Sequence, residues 1–147
     1  MKPGLLSILL LVFAYILSAC GQNSISGPSK EPFVVEDQAS LLAALQSEGA
    51  TVETAETTTQ DFFSVKGQIV RVNGTDIQVF EYENAEAMEN DASQVAPDGG
   101  SIGTSMVTWM DAPHFYQAGK LTVLYLGNDQ SIRDLLNKVL GPQFAGQ

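Results

Sequence analysis

Apolar residues fall at helical spacing in three stretches of this chain and at strand spacing in five. In 38–48, Leu41, Leu42 and Leu45 line one face behind Asp37, a suitable N-cap, and Gly49 suits the residue after the end. In 85–95, Ala85, Met88, Ala92 and Val95 recur three or four apart behind Asn84, and Pro97-Asp98-Gly99-Gly100 breaks the pattern. In 130–140, Ile132, Leu135, Leu136, Val139 and Leu140 form a stripe, capped by Asp129 or Asn128 and stopped by Gly141-Pro142.

Between these stretches lie the strands. The best-defined hairpin joins 67–72 to 75–82 through Asn73-Gly74, a pair that tolerates the positive φ of a type I′ turn. A two-residue loop sets Val72 opposite Thr75, Arg71 opposite Asp76 and Val70 opposite Ile77, with Val70, Ile77 and Val79 on one buried face. Residues 51–57, rich in Thr and Val, form a weaker strand, and 60–66 an apolar connection or the start of the next strand. Residues 104–110 alternate as a strand, 111–113 turn, His114 to Gln117 can begin a return strand, and 120–126 is the strongest strand of all.

The expected order is therefore α-β-β-β-α-β-β-α. It implies an α+β domain with one antiparallel sheet of four or five strands and helices packed on one face. Residues 67–95 and 104–140 each run strand, strand, helix, the pattern of an internal duplication, without a residue-level repeat.

The N-terminus departs from this periodicity. Lys2 is followed by a run from Leu5 to Ala19 that is almost wholly apolar. It is shorter than the roughly 20 residues a permanent span needs, and has the proportions of a secretory signal core. The run ends in Leu17-Ser18-Ala19-Cys20. This motif resembles the lipobox of bacterial lipoproteins. The resemblance implies cleavage between Ala19 and Cys20, a diacylglycerol thioether on the Cys20 sulfur, and usually an N-acyl chain such as palmitate as well. Two acyl chains anchor a protein stably. Segments 1–19, 20–36 and 37–147 then read as signal peptide, lipidated Cys with a flexible tether, and a single α+β domain. A Ser-, Gly- and Pro-rich tether of this length spans roughly 20–25 Å. Gly21 stands where an Asp often signals inner-membrane retention, which favours the outer membrane in a two-membrane envelope.

Composition narrows the function. The 147 residues carry 17 acidic and 7 basic side chains, a formal charge of −10, which argues against nucleic acid. Loss of 1–19 removes Lys2 and makes the balance one unit more negative. An anionic bilayer then repels the domain within a Debye length of about 8 Å, so attachment falls to the lipid. The single Cys excludes an intramolecular disulfide framework, and the single His excludes a multi-histidine metal site. No cofactor beyond the covalent lipid is expected.

The stretches VFEYENAEAME, SIGTSMVTWMDAPHFYQAGKLTVLYLGND and LLNKVLGPQFAG, between residues 79 and 146, are similar to those of small secreted or lipid-anchored bacterial proteins without an assigned activity. That resemblance implies an envelope domain and transfers no catalytic residues.

Candidate chemistry is sparse. Gly99-Gly100-Ser101-Ile102-Gly103 matches G-x-S-x-G, with Asp111 and His114 following in the order of α/β-hydrolases. That motif requires a strand before the Ser and a helix after it. Here the expected elements stand in the reverse order, and a linking loop explains the glycines. The same glycines could offer N–H groups to an anion, but neither Lys nor helix follows as in a P-loop. Asp91, Asp98 and Asp111 could contribute to a Ca²⁺ site, without EF-hand spacing. Glu81, Glu83, Glu86 and Glu89 read as a solvated edge and helix face. Asn73-Gly74-Thr75 matches a glycosylation sequon that the hairpin turn already explains.

Trp109, His114 and Tyr116 stand in an aromatic-rich stretch. Exposed, they would mark a contact surface; buried, a structural cluster with a hydrogen-bonded His114. The sequence therefore points to a lipid-anchored, exported envelope protein that binds or scaffolds an unidentified protein or ligand, without a coherent catalytic set. The competing readings are a small hydrolase using Ser101 and His114, and a Ca²⁺-stabilised surface module.

Overall fold

The computed structural model describes residues 33–147, so Ala19, Cys20 and the expected signal and tether up to residue 32 lie outside the described residues. The chain divides at residue 32, and all the secondary structure below belongs to the unit from Pro32 to Gln147.

Helix α1 (Gln38–Ser47) opens with a reciprocal cap. The Asp37 carboxylate accepts the Ser40 N–H at 2.9 Å, and the Ser40 hydroxyl oxygen accepts the Asp37 N–H at 3.0 Å. The Ser40 N–H and the Ser40 hydroxyl, which donates to the same carboxylate at 2.7 Å, lower the Asp37 carboxyl below its usual range. Three strands follow: β1 (Val52–Thr58), β2 (Gly67–Val72) and β3 (Thr75–Glu81). The β2–β3 hairpin has the expected register, Val72 to Thr75, Arg71 to Asp76 and Val70 to Ile77. Asn73 and Gly74 both take positive φ, 51° and 85°, as a type I′ turn requires.

Helix α2 (Ala85–Ala92) is capped by Asn84, whose side chain accepts the Ala87 N–H. It stops three residues before the expected end, and Val95 instead bridges to Ile102. Residues 101–106 form a minimal hairpin of β4 (Ser101–Ile102) and β5 (Ser105–Met106), apart from the main sheet. Strand β6 (Pro113–Ala118) then pairs with β7 (Leu121–Leu126), helix α3 (Gln130–Leu140) follows, and β8 (Ala145–Gly146) closes the chain.

The main sheet has six antiparallel strands in the order β1-β2-β3-β7-β6-β8, against the four or five expected. Strand β8 adds the sixth, through two residues too few to leave a periodic signal. The expected strand at 104–110 is also corrected. Residues 106–110 alternate outward and inward, but beyond Met106 they join no ladder. Strand β6 takes the place beside β7, with Pro113 at its first position, where a missing N–H is tolerated.

The helices do not share one face. Leu41, Ala44 and Leu45 of α1 pack with Ile132, Leu136 and Val139 of α3 over Val70, Val72, Ile77, Val79, Val123 and Tyr125. On the opposite face, Met88 and Ala92 of α2 join Phe63, Phe80, Val95, Phe115 and Leu124. Strand β7, Leu-Thr-Val-Leu-Tyr-Leu, is buried at its first five positions because both sides of the central sheet are covered.

Folded structure begins before Asp37. Val35 is a core residue, and the Glu36 carbonyl accepts the Lys120 N–H at 3.0 Å. Gly119 makes the approach possible. At φ 54° it opens the β6–β7 turn, and a Cβ there would lie 2.3 Å from the Glu36 Cα. The chain thus enters the domain beside the β6–β7 turn.

Candidate functional site

Strand β6 carries the aromatic stretch, and its alternation sends Tyr116 to the α1/α3 side and Phe115 to the α2 side. His114 is completely buried. Its Nδ1 lies 2.7 Å from Gln143 Oε1 and its Nε2 lies 3.0 Å from the Gly127 carbonyl. The ring stacks on Tyr125 at 5.7 Å and 20°. The Tyr125 hydroxyl in turn accepts the Asp129 N–H at 3.0 Å, at the start of α3. His114 therefore ties the C-terminal segment, the β7–α3 connection and β6 together.

Tyr116 is also completely buried, and its hydroxyl makes no hydrogen bond. Burial raises its pKa, partly opposed by the positive charge of Arg133. Trp109 is half-buried; its indole N–H donates to the Gly99 carbonyl at 2.6 Å, and its ring meets Phe62 and Phe115 edge-on at 5.7 and 5.8 Å. A contact surface of Trp109, His114 and Tyr116 is thus replaced by a structural cluster. His114 and Tyr116 present nothing to solvent, because helix α3 and the C-terminal segment cover their face of β6. Only Trp109 reaches the surface.

The other candidates are dispersed. Both His114 nitrogens face Gln143 and Gly127, leaving neither for Ser101. Asp111 accepts from the Ala112 N–H and the Asn128 amide. Ser101 lies in a strand that joins the hairpin β4–β5, the context opposite to a nucleophile elbow. Asp98 accepts the Gly100 N–H at 2.9 Å, so the glycine loop closes on its own carboxylate. Asp91 accepts the backbone N–H and the hydroxyl of Ser64 at 2.7 and 2.8 Å. Asp91, Asp98 and Asp111 each serve a different loop, and no group of three or more His, Cys, Asp or Glu placed to hold a metal occurs among the described residues. Glu81 pairs with Lys120 at 2.8 Å.

Comparison with models of protein families, with curated proteins and with solved structures finds no match. The site is therefore read from its own geometry.

Two features escape a reading by residue type. The first is polar and buried: the Tyr82 hydroxyl sits beside Thr122 and Asp91, yet neither hydroxyl makes a well-formed hydrogen bond. Burial and then the Asp91 charge hold the Tyr82 phenol well above its usual range. The second is apolar and exposed. Met106 and Met110 are 92% and 100% accessible, on a loop whose inward side chains, Val107 and Trp109, pack against the α2-side core. The alternation Met106-Thr108-Met110 against Val107-Trp109 was visible in the sequence; that no strand would cover its outer side was not.

Proposed function

We propose that this chain is an exported bacterial lipoprotein, lipidated at Cys20, whose α+β domain binds another envelope macromolecule or ligand without performing catalysis. The observation that carries the reading is Leu17-Ser18-Ala19-Cys20 at the end of an apolar run, with the only Cys of the chain at the boundary. Among the described residues no helix is long and apolar enough to cross a membrane, so in this reading attachment rests on the lipid. The binding role is supported by the dispersal of Ser101, Asp111 and His114 and by the exposed methionine loop.

Lipidation is tested by metabolic labelling with an alkyne fatty acid. Wild type should incorporate label and run as the cleaved form; Cys20→Ser should lose the label and accumulate precursor. Normal processing of Cys20→Ser, or an unlabelled wild type, overturns the proposal.

A further inference from the structure

Met106 and Met110 are the most exposed large hydrophobic side chains among the described residues, and they share one loop. Single exposed hydrophobics are ordinary, but here two bare thioethers stand on the outward side of one short segment whose inward side chains are fixed in the core. The loop is held in place. The Val107 N–H donates to the Gly100 carbonyl at 3.0 Å and the Trp109 indole to Gly99, so the inward side is pinned while the thioethers face out. Such pre-organisation lowers the ordering cost of binding.

Charge selects the occupant. From Val72 to Gly119 the sequence has no Lys or Arg and eight acidic residues, of which Asp76 and Glu81 pair with the flanking Arg71 and Lys120 and Asp91 is buried. Exposed Asp111 adjoins Met110, exposed Asp98 flanks the glycine that holds Trp109, and exposed Asp61 precedes Phe62, which touches the Trp109 ring. A second copy would bring the same acidic rim, and an anionic bilayer the same sign. The thioether side chain is flexible and polarisable and adapts to varied apolar partners.

We propose that the loop 103–111 docks a cationic amphipathic segment of a partner protein, apolar side chains seated on Met106 and Met110 with Lys or Arg against the acidic rim. This rests on the binding-module reading above and adds the chemistry of its partner.

The test uses the full-length chain. Met110→benzoylphenylalanine, irradiated in the native envelope, should yield an adduct whose partner peptide carries Lys or Arg among apolar residues. Adducts confined to lipid or to a second copy, a partner peptide without cationic residues, or no adduct, overturn it. In neutral detergent, binding of a synthetic Leu/Lys amphipathic peptide should weaken about tenfold in the double variant Met106→Ser, Met110→Ser, as loss of hot-spot contacts does. The control Glu53→Gln, Glu56→Gln on edge strand β1 should bind as wild type. Equal losses in both variants, or no loss in the methionine variant, overturn the proposal. The peptide measurement is independent of acylation, so failure at Cys20 is distinguishable from failure at the loop.

Discussion

The two sides of the sheet are built on different principles. The α1/α3 side is mostly aliphatic and covered by two regular helices, which the Lys138–Glu48 ion pair also links. Its stripe is cheap to build, since each buried Leu, Ile or Val contributes about 1.5–3 kcal/mol without needing a polar partner. The α2 side is covered by one eight-residue helix and by irregular segments around 60–66 and 95–112. There the cover is made of rings meeting edge-on, Phe62 on Phe63 and Trp109, Phe63 on Phe80, Trp109 on Phe115. Regular helices leave a uniform lid, whereas loops can hold side chains outward while anchoring themselves inward. The lesson is that the bare apolar side chains lie on the irregular side, where backbone is fastened by an indole N–H and a few carbonyls, and it is there that the proposed recognition is placed.

The largest expected effect falls on the regular side. Leu136→Ala, at a fully buried position, should cost about 2–5 kcal/mol in urea unfolding. Trp109→Ala removes ring contacts and one hydrogen bond from a half-exposed position, and should cost roughly half as much. A Trp109 variant less stable than the Leu136 variant would break the contrast. Next comes Asn84→Ala, which strips the cap from the short α2 and should cost about 1 kcal/mol, seen as earlier hydrogen exchange in α2 than in α3. Uniform acceleration across both helices would show that α2 is no weaker a unit.

The smallest effect at neutral pH sharpens the comparison most. Tyr82→Phe removes a buried hydroxyl with no well-formed hydrogen bond and should leave neutral stability nearly unchanged. In the wild type the folded state holds the phenol proton more tightly than the unfolded chain does. The stabilisation is therefore whole below the unfolded value near pH 10 and is lost as pH rises above it. Tyr82→Phe should flatten the alkaline unfolding limb. Tyr116→Phe, on the other side, should flatten it less, because Arg133 opposes the rise there. The reverse ranking would assign the alkaline sensitivity to the α1/α3 side.

Much of this was readable from residue order alone. The β2–β3 register follows from the two-residue Asn-Gly turn, α3 has the expected limits of 130–140, the first two N-caps are the expected Asp37 and Asn84, and the third is Asp129, one of the two candidates. These features depend on neighbours within about four positions, or on a turn whose geometry admits few alternatives. The errors share a cause as well. The partner strand of β7, the extra strand β8 and the division of helices between two sides depend on contacts far apart in the chain. One clue was present: the nearly continuous apolar run of 121–126, broken only by Thr122, signals cover on both sides, against the single layer of helices that the order suggested.

For the chemistry the split is sharper. Residue order gives the acidic balance and the Leu-Ser-Ala-Cys motif on which the lipoprotein proposal rests, because charge is a count and a short motif is local. Whether a side chain meets solvent or core is a property of what folds over it. His114 and Tyr116 were buried by a distant helix and the chain's last residues, while Met106 and Met110 were left bare because no strand arrived to cover them.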